Sequence, residues 1–244
     1  MKPSSSQAPD SSPVYFRQLL AGKDFATGDP TAAQMVNFVY LIGDREAGKC
    51  VVVDPAWDVD DLLSAAAEDG MEIEGVLATH HHPDHVGGDL WGTSVPGVRE
   101  LLERKSVKIH CNREEAEWIR RTTEVSSGDL VSYDSGDVLQ VGEVQIRMIH
   151  TPGHTPGSQC FLVDGKLIAG DTLFLQGCGR TDFPGGDRDE MYRSLTERLA
   201  KIPDDTVLYP GHLYDPRPSA PLGETRRSNY VFQVPDLDHW REMM

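Results

Sequence analysis

Positive charge is scarce in this chain. Lys and Arg total 23 against 39 Asp and Glu, a formal net charge of −16. A field of that sign repels a phosphate backbone. The few basic pairs, Arg104-Lys105, Arg120-Arg121 and Arg226-Arg227, read as solvated faces, so nucleic acid is not an expected partner. Long apolar runs are missing too. None approaches the roughly 18 residues that a membrane span needs, and no membrane association is expected. Cysteine is sparse: Cys50, Cys111, Cys160 and Cys178 form no C-x-x-C pair. That excludes a redox or zinc-ribbon spacing and fits reduced thiols in a cytoplasmic protein. Residues 1–13 are rich in Ser and Pro and lack an apolar h-region. They are expected to form a disordered tail and not a secretory signal. No repeat with a period of about 20–50 residues is visible.

Residues 14–244 read as one α/β domain with sheets inside and helices outside. Val59, Leu62, Leu63, Ala66 and Ala67 trace an amphipathic helix, with Asp58 as N-cap and Gly70 just past its end. A second helix is expected over Met191, Leu195, Leu199 and Ile202, capped by Asp187 and stopped by Pro203. Val98 to Lys105 and Arg113 to Arg121 add two more. Short β-branched runs predict strands at Met35–Ile42, Cys50–Val53, Gly75–Thr79, Val107–His110, Val144–Ile149, Ser158–Val163, Lys166–Ala169 and Thr206–Tyr209. Asp164-Gly165 is a hairpin signal, because a type I′ turn needs positive φ at both central residues.

Several of these runs are followed at once by a potential metal ligand. Val76-Leu77-Ala78 leads into Thr79-His80-His81-His82-Pro83-Asp84-His85. The run ending at Ile149 leads into His154, Leu167 to Gly170 into Asp171, and Val207-Leu208-Tyr209 into His212. Strands that end on a common sheet edge can bring such residues together. His80 and His82 are two apart and point the same way in an extended segment, with His154 as a third imidazole. Asp84 and His85 open a probable helix near Pro83 and pair with His212, while Asp171 can bridge through its two oxygens. Five imidazoles and two carboxylates suit two divalent ions, Zn2+ first, with Fe2+ and Mn2+ also compatible. Three protein ligands and an open position make the catalytic pattern for zinc. His81 alternates away from its neighbours, and His110 and His150 read as satisfied, partly buried histidines.

These motifs resemble the metallo-β-lactamase superfamily. THHHPDH is similar to its first signature, HTPGHTPGS to its second, GDTLF to its third and PGH to its last, in order over roughly Met35 to His212. The resemblance implies a four-layer αββα sandwich with a dinuclear site at one edge. Within the superfamily, GDTLFLQGCGRTDFPGGD resembles the glyoxalase II-like hydrolases and the related persulfide dioxygenases. By that resemblance Arg180 is a carboxylate clamp for a thiol such as glutathione, and Tyr214 lines the pocket. The function implied is a metal-dependent thioester hydrolase for a small-molecule thioester similar to S-lactoylglutathione, acting through a metal-bridging hydroxide, with Asp84 and Asp171 as catalytic carboxylates. The alternative is a mononuclear Fe(II) persulfide dioxygenase using His80, His154 and Asp171. No protein nucleophile is required, and Cys178 reads as part of a structural turn. Oligomeric state is not legible.

Overall fold

The structure, a computed structural model, describes residues 13–243. The tail expected over 1–13 lies outside these residues apart from Pro13. The first half lays down β1 (Val14–Leu20), β2 (Phe38–Asp44), β3 (Lys49–Val53), β4 (Glu72–Leu77), a small hairpin of β5 (Gly88–Leu90) and β6 (Thr93–Val95), then β7 (Lys108–Asn112) and β8 (Leu130–Tyr133). These form a six-stranded sheet in the order β1-β2-β3-β4-β7-β8, with β5-β6 apart. The second half gives β9 (Val138–Val141), β10 (Val144–His150), β11 (Gln159–Val163), β12 (Lys166–Gly170), β13 (Val207–Pro210) and β14 (Ala220–Pro221). Their order is β14-β13-β12-β11-β10-β9. The helices are α1 (Pro30–Met35), α2 (Val59–Glu68), α3 (Pro83–Val86), α4 (Val98–Arg104), α5 (Ala116–Thr123), α6 (Arg188–Arg193), α7 (Leu222–Ser228) and α8 (Leu237–Met243).

Three apolar interfaces hold four layers together, and the period of two along a strand assigns side chains to them. In β2, Val39 and Leu41 face the helices of the first half, while Phe38, Tyr40 and Ile42 face the other sheet. β3 divides the same way: Cys50 and Val52 outward, Val51 and Val53 inward. In β12, Ile168 enters the inter-sheet layer, and Leu167 and Ala169 pack under the helices of the second half with Met191, Leu195 and Trp240. Strands buried on both faces read as continuous apolar runs, which is why β2 and β3 stand out in the sequence. The arrangement is the expected αββα sandwich.

Local signals set several boundaries. Asp58 caps α2 by accepting from the Asp61 amide, and Gly70 follows its end at φ 72°. Asp164 and Gly165 both have positive φ, as the hairpin required. Three expectations need correction. The strand placed at Met35 begins at Phe38, because Asp29 and Pro30 start α1, with Val36 ending it in the left-handed region. The helix placed at Arg113 begins at Ala116, since Asn112 holds the Glu114 and Glu115 amides in a turn. The helix from Asp187 is α-helical only to Arg193. It then widens into a π turn over Ser194–Arg198 and tightens over Leu199–Lys201.

Candidate metal centre

Every expected ligand arrives at the same sheet edge. Past β4 the chain runs extended through His82 (φ −64°, ψ 144°), where Pro83 opens α3 and places Asp84 and His85 in its first turn. His154 sits in the loop from β10 to β11, Asp171 follows β12 and His212 follows β13. The adjacent β12 and β13 run parallel, so their following residues emerge side by side. Gly211 is needed at that junction, since a Cβ there would strike Asp171 Oδ1.

Two triads form. In the first, His82 Nδ1 lies 3.1 Å from His80 Nε2 and 2.9 Å from His154 Nε2. In the second, His85 Nε2 and His212 Nε2 are 3.2 Å apart, and Asp84 Oδ2 is 3.4 Å from each. Asp171 stands between them. Its Oδ2 is 3.4 Å from His212 Nε2 and 3.7 Å from His154 Nε2, and its Oδ1 is 3.3 Å from His85 Nε2.

The donor set fits metal ions. Four imidazoles spend their second nitrogen on a hydrogen bond: His80 Nδ1 to Thr79 Oγ1 (3.0 Å), His85 Nδ1 to Asp54 Oδ2 (2.9 Å), His154 Nδ1 to the Arg180 carbonyl (2.6 Å) and His212 Nδ1 to the Met35 carbonyl (2.7 Å). In the neutral form each Nε2 is then a bare lone pair. Lone pairs this close repel one another unless a cation lies between them. Ligands on tetrahedral zinc, at about 2.0–2.1 Å from the ion, stand roughly 3.3 Å apart. Asp171 Oδ1 is also buried without a hydrogen bond of good geometry. The separations of 2.9–3.7 Å among the seven candidate residues are near that value.

Charge is divided between the triads. Burial, then the neighbouring imidazoles, hold His80 well below its usual range, and the same causes push His82 down to about 3. Around the second triad burial opposes protonation, but carboxylates overcome it. Asp84 and Asp171 raise His85, and Asp171 raises His212 to about 9. Burial likewise works against ionised Asp84 and Asp171, yet the cationic imidazoles keep both below the usual carboxylate range. The second triad thus attracts cations, whether protons or a metal.

Three buried residues not singled out from the sequence support this cage. Asp54 accepts from the Thr79 amide (2.8 Å) and hydroxyl (2.6 Å) as well as from His85, so one carboxylate steadies a ligand of each triad. It follows the apolar run of β3 as the ligands follow theirs, and that placement was a usable signal. Asn37 accepts from Trp57 Nε1 through Oδ1, which turns its amide nitrogen toward Asp84 Oδ2 at 3.1 Å. Glu115 is fully buried and accepts from His81 N, His81 Nδ1 and Gly157 N at 2.6–2.8 Å. It ties the His80–His85 segment to the His154 loop. His81 therefore points away from the cage, stacked on Trp118 at 4.9 Å. His110 and His150 are elsewhere, bonded to the Tyr133 hydroxyl and the Pro156 carbonyl.

A cleft of about 830 Å³ opens over the cage, and Arg180 and Tyr214 both line it. The Arg180 guanidinium is paired with Asp182 through two bonds of 2.9 and 2.7 Å and lies over the Phe183 ring. Tyr214 stacks on His212 at 4.8 Å, with its ring planes 4° apart. Cys178 also reaches the cleft, and burial pushes its thiol up to about 12. Arg226 is bound to Asp204 and to the Leu199 and Ile202 carbonyls, and it does not line the cleft.

Comparison with known proteins gives one family. The profile of the metallo-beta-lactamase superfamily matches residues 34–212. The mitochondrial persulfide dioxygenase ETHE1 of Bos taurus is 28% identical, covering 89% of this chain and 75% of its own. The probable hydroxyacylglutathione hydrolase glo2 of Schizosaccharomyces pombe is 31% identical over 82% of this chain and 71% of its own. Among solved structures, ETHE1 from Myxococcus xanthus superposes with a TM-score of 0.76 at 29% identity, covering 94% of this chain and 89% of that one. No helix among the described residues is long and apolar enough to cross a membrane.

Proposed function

The chain belongs to the metallo-β-lactamase superfamily, a family of divalent-metal enzymes, and we propose that it hydrolyses acyl thioesters of a low-molecular-weight thiol with two such ions, zinc first among them. The observation that carries this reading is Asp171, whose two oxygens lie within 3.7 Å of ligand nitrogens from both triads. His80, His82 and His154 would hold one ion and Asp84, His85 and His212 the other, with Asp171 within reach of both. Ions held there supply a water acidified from about 15.7 to near 7 and a Lewis acid for the thioester carbonyl.

The chain's own groups do the rest. Asp84 and Asp171 stay ionised at the cleft floor, so both are available as anionic ligands at neutral pH, and Asn37 steadies Asp84 by donating to its Oδ2. The leaving thiolate needs no protein acid, because thiol pKa values lie near 8.5. Cys178 stays protonated and is no nucleophile. The planar fork of Arg180 suits a carboxylate of the carrier thiol, which it takes in exchange for Asp182. Tyr214, packed on His212, bounds the site where the thiol departs.

A second reading, oxygen chemistry at one iron held by His80, His154 and Asp171, is favoured by the likeness to the Bos taurus dioxygenase. The same cluster serves that reading, with His82 Nδ1 beside His80 and His154 as an additional imidazole. Two assays on the purified protein separate the readings. Free thiol released from S-lactoylglutathione or another acyl thioester, without oxygen uptake, is expected. Oxygen consumed with glutathione persulfide, and no thioester cleaved, would overturn the hydrolase.

A further inference from the structure

Aromatic and aliphatic side chains enclose the cleft on both flanks of the cage. Beside the first triad, Phe183 meets His82 and His154 edge-on, with centroids 5.3 and 6.3 Å apart, and Trp118 lies flat on His81. Trp118 also borders the loop carrying Phe183, since a Cβ on Gly185 would stand 3.4 Å from its Cζ2. Beside the second triad, Phe174 and Tyr214 pack on His212. The β5–β6 hairpin adds Leu90 and, at its turn, Trp91, a residue 81% exposed.

Charge is sparse in the same walls. Outside the cage the charged lining is Asp89, whose Oδ1 accepts from the Gly92 amide, and the two cations Arg121 and Arg180. Both are already ion-paired, with Glu117 at 2.8 Å and Asp182 at 2.7 Å. A small hydroxylated acyl group such as lactoyl would leave this surface wet and give the aromatic rings nothing to bury.

We propose that the acyl half of the substrate is a bulky apolar group, a medium-length aliphatic chain or an aromatic acid, lying along Trp118, Phe183 and Leu90 with Trp91 over its outer end. This rests on the thioesterase reading and names its substrate class. Burial of apolar surface is proportional to area, and an open cleft covers part of each added methylene. Selectivity therefore rises roughly two- to fourfold in kcat/KM per methylene until the walls end. The discrimination lives in KM, because the chain is bound equally before and during bond cleavage.

The test uses zinc-loaded protein and a neutral carrier, so that charge on the thiol plays no part. S-acyl-N-acetylcysteamines carrying acetyl, butanoyl, hexanoyl, octanoyl and phenylacetyl groups are compared. The expected result is a kcat/KM that climbs along the aliphatic series through falling KM, with phenylacetyl well above acetyl. Trp118→Ala and Phe183→Ala should flatten that slope, read within each variant as the ratio of octanoyl to acetyl kcat/KM. Trp91→Ala, at an exposed hairpin turn, gives a smaller flattening that does not depend on core folding. A flat or falling series on the wild type overturns the proposal. If no thioester is cleaved, the hydrolase reading has failed, and tryptophan fluorescence titration with the matching S-alkyl thioethers decides the inference. Affinity that tightens with chain length supports it, and length-independent affinity overturns it.

Discussion

Asp54→Asn should weaken one metal position more than the other, and the structure says which. Asp54 is an acceptor at both oxygens: Oδ1 takes the Thr79 amide, and Oδ2 takes the Thr79 hydroxyl and His85 Nδ1. An asparagine must put its NH2 on one side. Placed toward Oδ1, it faces the Thr79 N–H donor. Placed toward Oδ2, it faces the His85 Nδ1 proton, and relief comes if that proton moves to Nε2, the atom that points at His212 and Asp171. The clash with a backbone N–H has no such relief, so the NH2 is expected on the Oδ2 side, where the second position loses ligand quality directly. The first feels it only through Thr79 and His80. Partners behind a ligand are typically worth 10–100-fold in metal affinity, about 1.4–2.7 kcal/mol. The expected outcome is a second-ion affinity weakened within that range and a first-ion affinity changed less. Thr79→Val, which removes the acceptor of His80 and leaves the His85 bond to Asp54 in place, should reverse the order. Competition titrations with a chromophoric chelator, run beside circular dichroism to establish folding, measure both. A folded Asp54→Asn protein with both affinities within about twofold of wild type would refute the reasoning.

Four further outcomes are expected. Asp171→Ala should bind fewer ions per chain and lose turnover by at least about two orders of magnitude; elemental analysis and thiol release check both. Affinity for the second ion should rise by at least about tenfold per pH unit up to about 9, because His212 is raised to about 9, His85 is raised as well, and the incoming ion must displace their protons. The first position, with His82 pushed down to about 3, should show little slope between pH 5 and pH 8; calorimetric titrations in two buffers count the protons. His110, pushed down to about 4 by burial, is neutral in the fold but takes a proton on unfolding. Stability should therefore rise with pH between about 4 and 6.5, by at most about 3 kcal/mol, and His110→Asn should flatten that rise in urea unfolding series. Arg180→Ala should raise KM severalfold for glutathione thioesters and leave neutral thioesters unchanged; equal effects on both would remove its role as a carboxylate clamp.

The clustering of the seven candidate ligands was legible because they stand past apolar runs, and such runs become adjacent strands ending on one edge. The sandwich was legible for a related reason: β2 and β3 are buried on both faces and carry unbroken Val, Ile, Leu and Tyr. β1, β8 and β9 alternate weakly or expose residues, and they left no clear periodic signal. Asp54 obeyed the same placement rule as the ligands and was passed over because it has no imidazole beside it in sequence. Glu115 gave no signal at all. It sits among Arg113, Glu114 and Glu117 in a charged helix start, and only the tertiary fold turns that one carboxylate inward. The widening of the helix after Arg193 was equally hidden, because Leu195, Leu199 and Ile202 keep an almost helical spacing through it.

The account depends on two ions sharing Asp171, and anomalous scattering from crystals of the zinc-loaded protein tests that most directly. It predicts two peaks about 3.5–4 Å apart, one among His80, His82 and His154 and the other among Asp84, His85 and His212. A single peak at His80, His154 and Asp171, or density away from these residues, would contradict it.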